Sequence, residues 1–156
     1  EAAAGARMPE GHDHLVVAGP QLDDASMERA RSLAGPTTTV VRTCPGLAHR
    51  IREAAAVISM GGYNTVCEIL AADTPALIVP REVPRLEQTI RARALAGAHL
   101  IDTLSQADAT PEALSRWLNG AVTTRTDRSR IARGGLAAAA HAAMTLIAPA
   151  SDGDLQ

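Results

Sequence analysis

The sequence contains no lysine and no phenylalanine, and only one tryptophan, one tyrosine and two cysteines among 156 residues. Single-stranded nucleic-acid sites depend on aromatic side chains on which bases stack, and this chain has too few of them for such a surface. The formal net charge is −2, so no general attraction to polyanions is expected either. The composition therefore argues against a nucleic-acid-binding protein.

Disulfides and membrane spans are also not expected. Two cysteines, Cys44 and Cys67, cannot form the multi-bridge framework of small secreted domains, and free thiols in a reducing cytosol are the simple interpretation. The start of the chain has no signal-peptide pattern, and charge, glycine or proline interrupts every alanine-rich stretch well short of about 20 apolar residues. We therefore expect a cytoplasmic protein.

The length and the composition predict one compact domain. The chain is 46% hydrophobic and 21% charged, which is ordinary for a soluble globular protein. We assign residues 1–150 to this domain and residues 151–156 to a disordered tail. The arginines of residues 125–133 are interpreted as a solvated helix start or as a contact to another domain.

Short apolar runs alternate with helical patterns along the chain. Strands are predicted at residues 14–18, 38–41, 56–59, 76–79 and 100–102, and helices at residues 24–33, 47–55, 63–72, 86–96, 111–118 and within 127–147. This alternation predicts an α/β fold made of right-handed βαβ units, with a parallel sheet covered by helices on both faces. Ligands are then expected beyond the carboxyl ends of the strands.

The most informative segment joins an apolar run to a glycine pair, Gly61 and Gly62, and then to a helix. The glycines remove Cβ atoms where a ligand would come closest to the backbone, and the helix presents unpaired N–H groups and a positive dipole end to a phosphate. The simpler alternative is a tight strand-to-helix turn in which Glu68 only complements the dipole. Helical spacing predicts a buried side of this helix that consists of Tyr63, Val66, Ile69 and Leu70. The polar side is predicted to consist of Asn64, Thr65 and Glu68.

Three blocks in a fixed order carry a family resemblance. They are residues 52–70, residues 74–81 (Thr-Pro-Ala-Leu-Ile-Val-Pro-Arg) and residues 87–95 (Glu-Gln-Thr-Ile-Arg-Ala-Arg-Ala-Leu). Together they resemble the C-terminal, donor-binding half of a GT-B glycosyltransferase, of the family 28 type that includes the lipid II-forming N-acetylglucosaminyltransferases. The resemblance runs over about residues 14–118 and implies a Rossmann-like α/β domain.

The resemblance implies roles for particular residues. The backbone after the glycines would cradle a diphosphate, Glu68 would bind the ribose hydroxyls, and Gln88 would touch the phosphate or the sugar. Glu87 departs from the usual family pair, and its carboxylate is unfavourable beside a diphosphate unless Arg81 or Arg85 offsets it. The complete predicted site consists of Thr43, Cys44 and Pro45, which frame the base, and of Gly61, Gly62, Tyr63, Asn64, Thr65, Glu68, Arg81, Arg85, Glu87 and Gln88.

The function that the resemblance implies is an inverting transfer of a sugar from a UDP-sugar to an unidentified acceptor hydroxyl, with no metal and no cofactor. The catalytic base is expected in an N-terminal domain or a partner subunit outside this sequence, so no catalytic residue is assigned. Two alternatives stay open: a non-catalytic domain that binds a nucleotide sugar or a partner, and a GT-B-type UDP-N-acetylglucosamine epimerase. Because such enzymes often use lipid-linked acceptors, peripheral membrane association is also possible.

Overall fold

The computed structural model describes residues 2–81 and 86–131, in which strands and helices alternate as the sequence predicts. Each of these strands is followed by a helix that starts within ten residues of the strand's end. The elements are β1 (His14–Val17), α1 (Asp24–Ser32), β2 (Thr38–Val41), α2 (Leu47–Glu53), β3 (Val57–Ser59), α3 (Tyr63–Leu70), β4 (Ala76–Ile78), α4 (Glu87–Gly97), β5 (Asp102–Thr103) and α5 (Pro111–Ala121).

All strand pairs in the described part of the chain are parallel, as predicted, but they form two hydrogen-bonded sheets and not one. The first sheet pairs β1 with β2, with His14 opposite Thr38. The second has the order β3-β4-β5, with Val57 opposite Ala76 and Ile78 opposite Thr103. The α/β class is therefore confirmed, with the strands divided between a two-stranded and a three-stranded sheet.

Strand β4 lies at the centre of the larger sheet and separates two apolar layers. Its three residues are completely buried, and successive side chains point to opposite faces. Ala76 and Ile78 pack with residues of α2, α3 and α4, whereas Leu77 packs with Ala6 near the N-terminus and with Leu114 of α5. Helices therefore cover both faces of this sheet. Burying each large aliphatic side chain contributes about 1.5–3 kcal/mol.

The helices differ in how their N-termini are capped. Asp23 caps α1 by accepting a hydrogen bond from the Ser26 amide at 2.8 Å, and Thr110 caps α5 by accepting one from the Ala113 amide at 3.2 Å. Such side-chain caps satisfy amides that have no partner within the helix. Helix α3 begins after Gly62, which has no side chain and makes no side-chain cap.

One expectation about the C-terminal part needs correction, and the others stay predictions. Residues 127–131 form no helix, and the rest of the range in which the final helix is predicted lies outside the described residues, as does the predicted tail. Arg128 is not solvated: it is 2% exposed and donates hydrogen bonds to the carbonyls of Leu100, Ala72 and Thr74 at 2.8–2.9 Å. Its guanidinium thus connects two separate chain segments, the one that follows α3 and the one that precedes β5.

Within residues 2–81 and 86–131, none of the helices has both the length and the apolar character needed to cross a lipid bilayer.

Candidate functional site

The turn between β3 and α3 depends on the backbone of Gly61. This glycine has a φ of +77°, in the left-handed region that other residues avoid, and its amide donates to Ser59 Oγ at 3.1 Å. A Cβ atom added at Gly61 would lie 2.7 Å from Cγ2 of Ile78. The missing Cβ of Gly61 therefore makes room for the apolar core under the turn, and not for a ligand as the sequence suggested.

Gly62 is the glycine that faces outward. It has φ −57° and ψ 146°, is exposed, and a Cβ added to it would meet no atom within 4 Å. It is followed by Tyr63 and Asn64, which are exposed, and by Thr65, which is half-buried. Because an α-helix leaves its first amides without intrahelical partners, an uncapped and open N-terminus here is suited to an anion.

The predicted buried side of α3 is correct in the middle of the helix and wrong at its start. Val66 and Ile69 are buried, but Tyr63 is 68% exposed. In the first turn, the tyrosine ring projects beyond the core and lies under the guanidinium of Arg91, whose Cζ is 5.6 Å from the ring centroid. Glu68, which the resemblance assigns to the ribose, is half-buried further along α3, and its role stays a prediction.

The first turn of α4 lies beside the loop that follows β4. The backbone amide of Arg81 donates to Oε1 of Gln88 at 3.1 Å, which fixes the side-chain amide of Gln88 against this loop. With its carbonyl oxygen occupied, Gln88 keeps its NH2 group as the part that can donate to a ligand. Arg85 lies outside the described residues.

Among the described residues, the partner of Glu87 is an arginine that the sequence analysis did not name. The sequence suggested Arg81 or Arg85 as the compensating cation, but the Glu87 carboxylate pairs with Arg91 one turn later on α4. The same guanidinium donates to the carbonyl oxygen of Gly61 at 3.3 Å. Sequence reasoning missed Arg91, although the i,i+4 spacing of glutamate and arginine on a predicted helix was a signal for the ion pair.

The predicted base-framing loop lies between β2 and α2. Thr43 and Pro45 are exposed, and the half-buried Cys44 contacts the Pro45 carbonyl with its sulfur at 3.7 Å. The loop follows a strand of the two-stranded sheet, and the hydrogen bonds and ion pair that connect Gly61, Glu87 and Arg91 do not include it. The structure thus brings together the glycine turn and α4, while the contribution of residues 43–45 stays a prediction. No cluster of three or more metal-binding side chains occurs in the parts of the chain that the structure describes.

Known proteins similar to this chain are glycosyltransferases. A protein of Rhizobium rhizogenes is 33% identical over 103 residues, which is 65% of this chain and 28% of that protein. Its name is UDP-N-acetylglucosamine–N-acetylmuramyl-(pentapeptide) pyrophosphoryl-undecaprenol N-acetylglucosamine transferase. The protein of the same name from Brucella canis is 32% identical over 103 residues, covering 64% of this chain and 27% of its own length. The chain thus spans less than a third of either relative.

Solved structures show the same fold. The calicheamicin glycosyltransferase CalG4 superposes with a TM-score of 0.70 at 22% identity, covering 95% of this chain and 40% of that protein. The glycotransferase of kitacinnamycin superposes with a TM-score of 0.57 at 18% identity, covering 71% and 27% respectively. Both support a Rossmann-like α/β domain of the GT-B type. Residues 10–145 match the profile of the glycosyltransferase family 28 C-terminal domain, and the chain belongs to that family.

Proposed function

We propose that this chain is the donor-binding domain of an inverting glycosyltransferase that moves a sugar from a UDP-sugar to an acceptor hydroxyl. One observation carries the proposal: the uncapped N-terminus of α3, which opens outward at Gly62 after a turn that the core holds in a left-handed conformation. This is the kind of end at which proteins bind phosphate groups. A diphosphate held there would place its sugar beyond the carboxyl ends of the strands.

The chemistry follows from where charge builds up. When an acceptor hydroxyl displaces the nucleoside diphosphate from the anomeric carbon, negative charge grows on the leaving diphosphate. Amides of the first turn of α3 would meet that charge in a fixed orientation, so they would stabilise the transition state more than the ground state. The NH2 group of Gln88 could add a donor from α4. Because the helix dipole and arginine side chains can stabilise the charge of the leaving diphosphate, the proposal does not require a metal.

The choice of donor rests on the relatives. The names of these relatives refer to UDP-N-acetylglucosamine and to an N-acetylglucosamine transferase, and the identity of 33% over 103 residues makes a UDP-sugar the first ligand to test. Since the chain spans 28% of that relative, the acceptor site and the base that takes the acceptor proton are proposed to lie in another domain or subunit. A cytoplasmic location, with peripheral association to a membrane that carries the acceptor, fits this proposal.

Calorimetry and thermal unfolding test donor binding directly. We expect UDP and UDP-N-acetylglucosamine, but not GDP or ADP, to raise the melting temperature, since a ligand at one hundred times its Kd adds about 2.7 kcal/mol. Gly62→Val should fold, because nothing lies within 4 Å of its Cβ position, and should lose UDP binding. Gly35→Val, at another open glycine, is the matched control. Absence of binding at millimolar UDP by the folded chain would contradict the proposal.

Turnover separates the proposal from its alternatives. The isolated chain should bind the donor without transferring sugar, because proximity and proton transfer from an acceptor domain are worth several powers of ten in rate. Restoring that domain as a fusion or a separate chain should restore transfer. Binding with no transfer in any such combination would favour a non-catalytic module, and conversion of UDP-N-acetylglucosamine to its epimer would favour an epimerase.

A further inference from the structure

Arg91 connects the turn between β3 and α3 with the first turn of α4. From α4 its guanidinium pairs with Glu87, donates to the Gly61 carbonyl at 3.3 Å and lies over the ring of Tyr63. The arginine side chain is only 22% exposed, so these contacts are made in a partly desolvated position. One guanidinium therefore contacts the glycine turn, the first residue of α3 and the first turn of α4.

The contact to Gly61 has a geometric consequence for Gly62. The carbonyl of Gly61 and the amide of Gly62 belong to one planar trans peptide unit, so a hydrogen bond that fixes the carbonyl also fixes the direction of the N–H. The preceding peptide is fixed at the Gly61 amide by Ser59 Oγ at 3.1 Å. Glycine rotates more freely about φ and ψ than any other residue, so without such contacts the turn would sample other directions.

We propose that Arg91 is the positioning residue of the site, which orients the Gly62 N–H toward the diphosphate by holding the Gly61 carbonyl. The proposal rests on the proposed function, since it presupposes a diphosphate at the N-terminus of α3. Arg91 acts through the peptide and is not assigned a contact with the substrate.

The ion pair between Glu87 and Arg91 supports the same positioning role. A carboxylate in the first turn of α4 would repel a diphosphate, but its charge is balanced by Arg91, which lies one helical turn later. The pairing also restrains the guanidinium, which reduces the entropy that its hydrogen bond to Gly61 costs. The ion pair gives glutamate at position 87 a structural reason to occur together with arginine at position 91.

The test compares four forms of the 156-residue chain: unaltered, Arg91→Met, Arg91→Lys and Arg93→Met. Arg93 is an exposed arginine on the same helix and serves as the matched control. Calorimetry measures the Kd of UDP, amide NMR follows the Gly62 resonance during titration with UDP or with uridine, and circular dichroism checks folding.

We expect Arg91→Met to raise the Kd of UDP about tenfold, which is the size of one charge-assisted hydrogen bond. The shift of the Gly62 amide resonance on titration with uridine should not change in this variant. Arg93→Met should bind UDP with the Kd of the unaltered chain. Lysine keeps the charge but lacks the fork that reaches Gly61 and Glu87 together, so Arg91→Lys should recover only part of the affinity. Full recovery by lysine, or unchanged UDP binding by Arg91→Met, would overturn the positioning role. If the methionine variant does not fold, the Kd of UDP for Arg91→Lys alone tests the positioning role. Failure of the unaltered chain to bind UDP would instead overturn the proposed function.

Discussion

Substituting Gly61 by alanine should destabilise the fold through two separate effects. The left-handed backbone at φ +77° costs a non-glycine residue about 1–2 kcal/mol. The new Cβ would lie 2.7 Å from Cγ2 of Ile78, a completely buried side chain in the central strand, and relieving such overpacking costs about 1–3 kcal/mol. We therefore expect Gly61→Ala to lose about 2–5 kcal/mol of unfolding free energy, which is a large part of the stability of a small domain.

Urea denaturation followed by Trp117 fluorescence measures this loss, and the chain provides its own control. Gly62 has an ordinary φ of −57° and open space around its Cβ position, so Gly62→Ala should change stability by a few tenths of a kcal/mol, about the size of other surface changes. The Ile78→Leu substitution removes the Cγ2 methyl that the new Cβ would meet. In that background, Gly61→Ala should therefore lose about 1 kcal/mol less unfolding free energy than in the unaltered chain. Equal losses for Gly61→Ala and Gly62→Ala would refute this account of the turn.

Three further predictions concern residues elsewhere in the chain. Glu68→Ala should weaken UDP binding by about 1.5–3 kcal/mol in calorimetry with little change in stability, and a variant that binds UDP normally would show that the carboxylate only complements the helix dipole. Arg128→Met should destabilise by about 3 kcal/mol or more in urea, because it leaves buried carbonyls without their donor, whereas exposed Arg125→Met should change stability by less than about 0.5 kcal/mol. Burial lowers the pKa of His14 below its ordinary value of 6.5, so the folded state binds fewer protons than the unfolded state and stability should fall as pH drops below 6.5. His14→Gln should flatten that slope between pH 7 and pH 5, and an unchanged slope would assign it to other groups.

The sequence is sufficient to predict the order of elements, because short apolar runs alternate with helical patterns along the chain. The predicted helix at residues 63–72 is observed as Tyr63–Leu70, and the predicted strand at residues 38–41 is observed as Thr38–Val41. Strand ends are less predictable. The apolar residues near position 100 predict the last strand at residues 100–102, but it occupies Asp102–Thr103, because its register is set by pairing with β4 and not by local hydrophobicity.

The site could be predicted only where its backbone pattern is local. The glycine pair and the open helix start are adjacent in sequence, so their pattern suggested an anion site. Arg91 and Arg128 were missed as structural residues, because their partners are brought close only by tertiary packing: Gly61 is 30 residues from Arg91, and Ala72 is 56 residues from Arg128. Helical periodicity predicts Tyr63 on the buried side of α3, but the residue is exposed, because periodicity cannot show where the core ends.

A crystal structure of this chain soaked with UDP-N-acetylglucosamine tests the central claim most directly. The account predicts diphosphate density at the N-terminus of α3, with phosphate oxygens about 2.7–3.2 Å from the amides of Gly62 and the first turn of the helix. It also predicts that Glu68 lies within hydrogen-bond distance of the ribose. A nucleotide bound with its diphosphate away from this helix end would contradict the account. So would an empty helix end in the crystal if the chain binds UDP in solution at another surface.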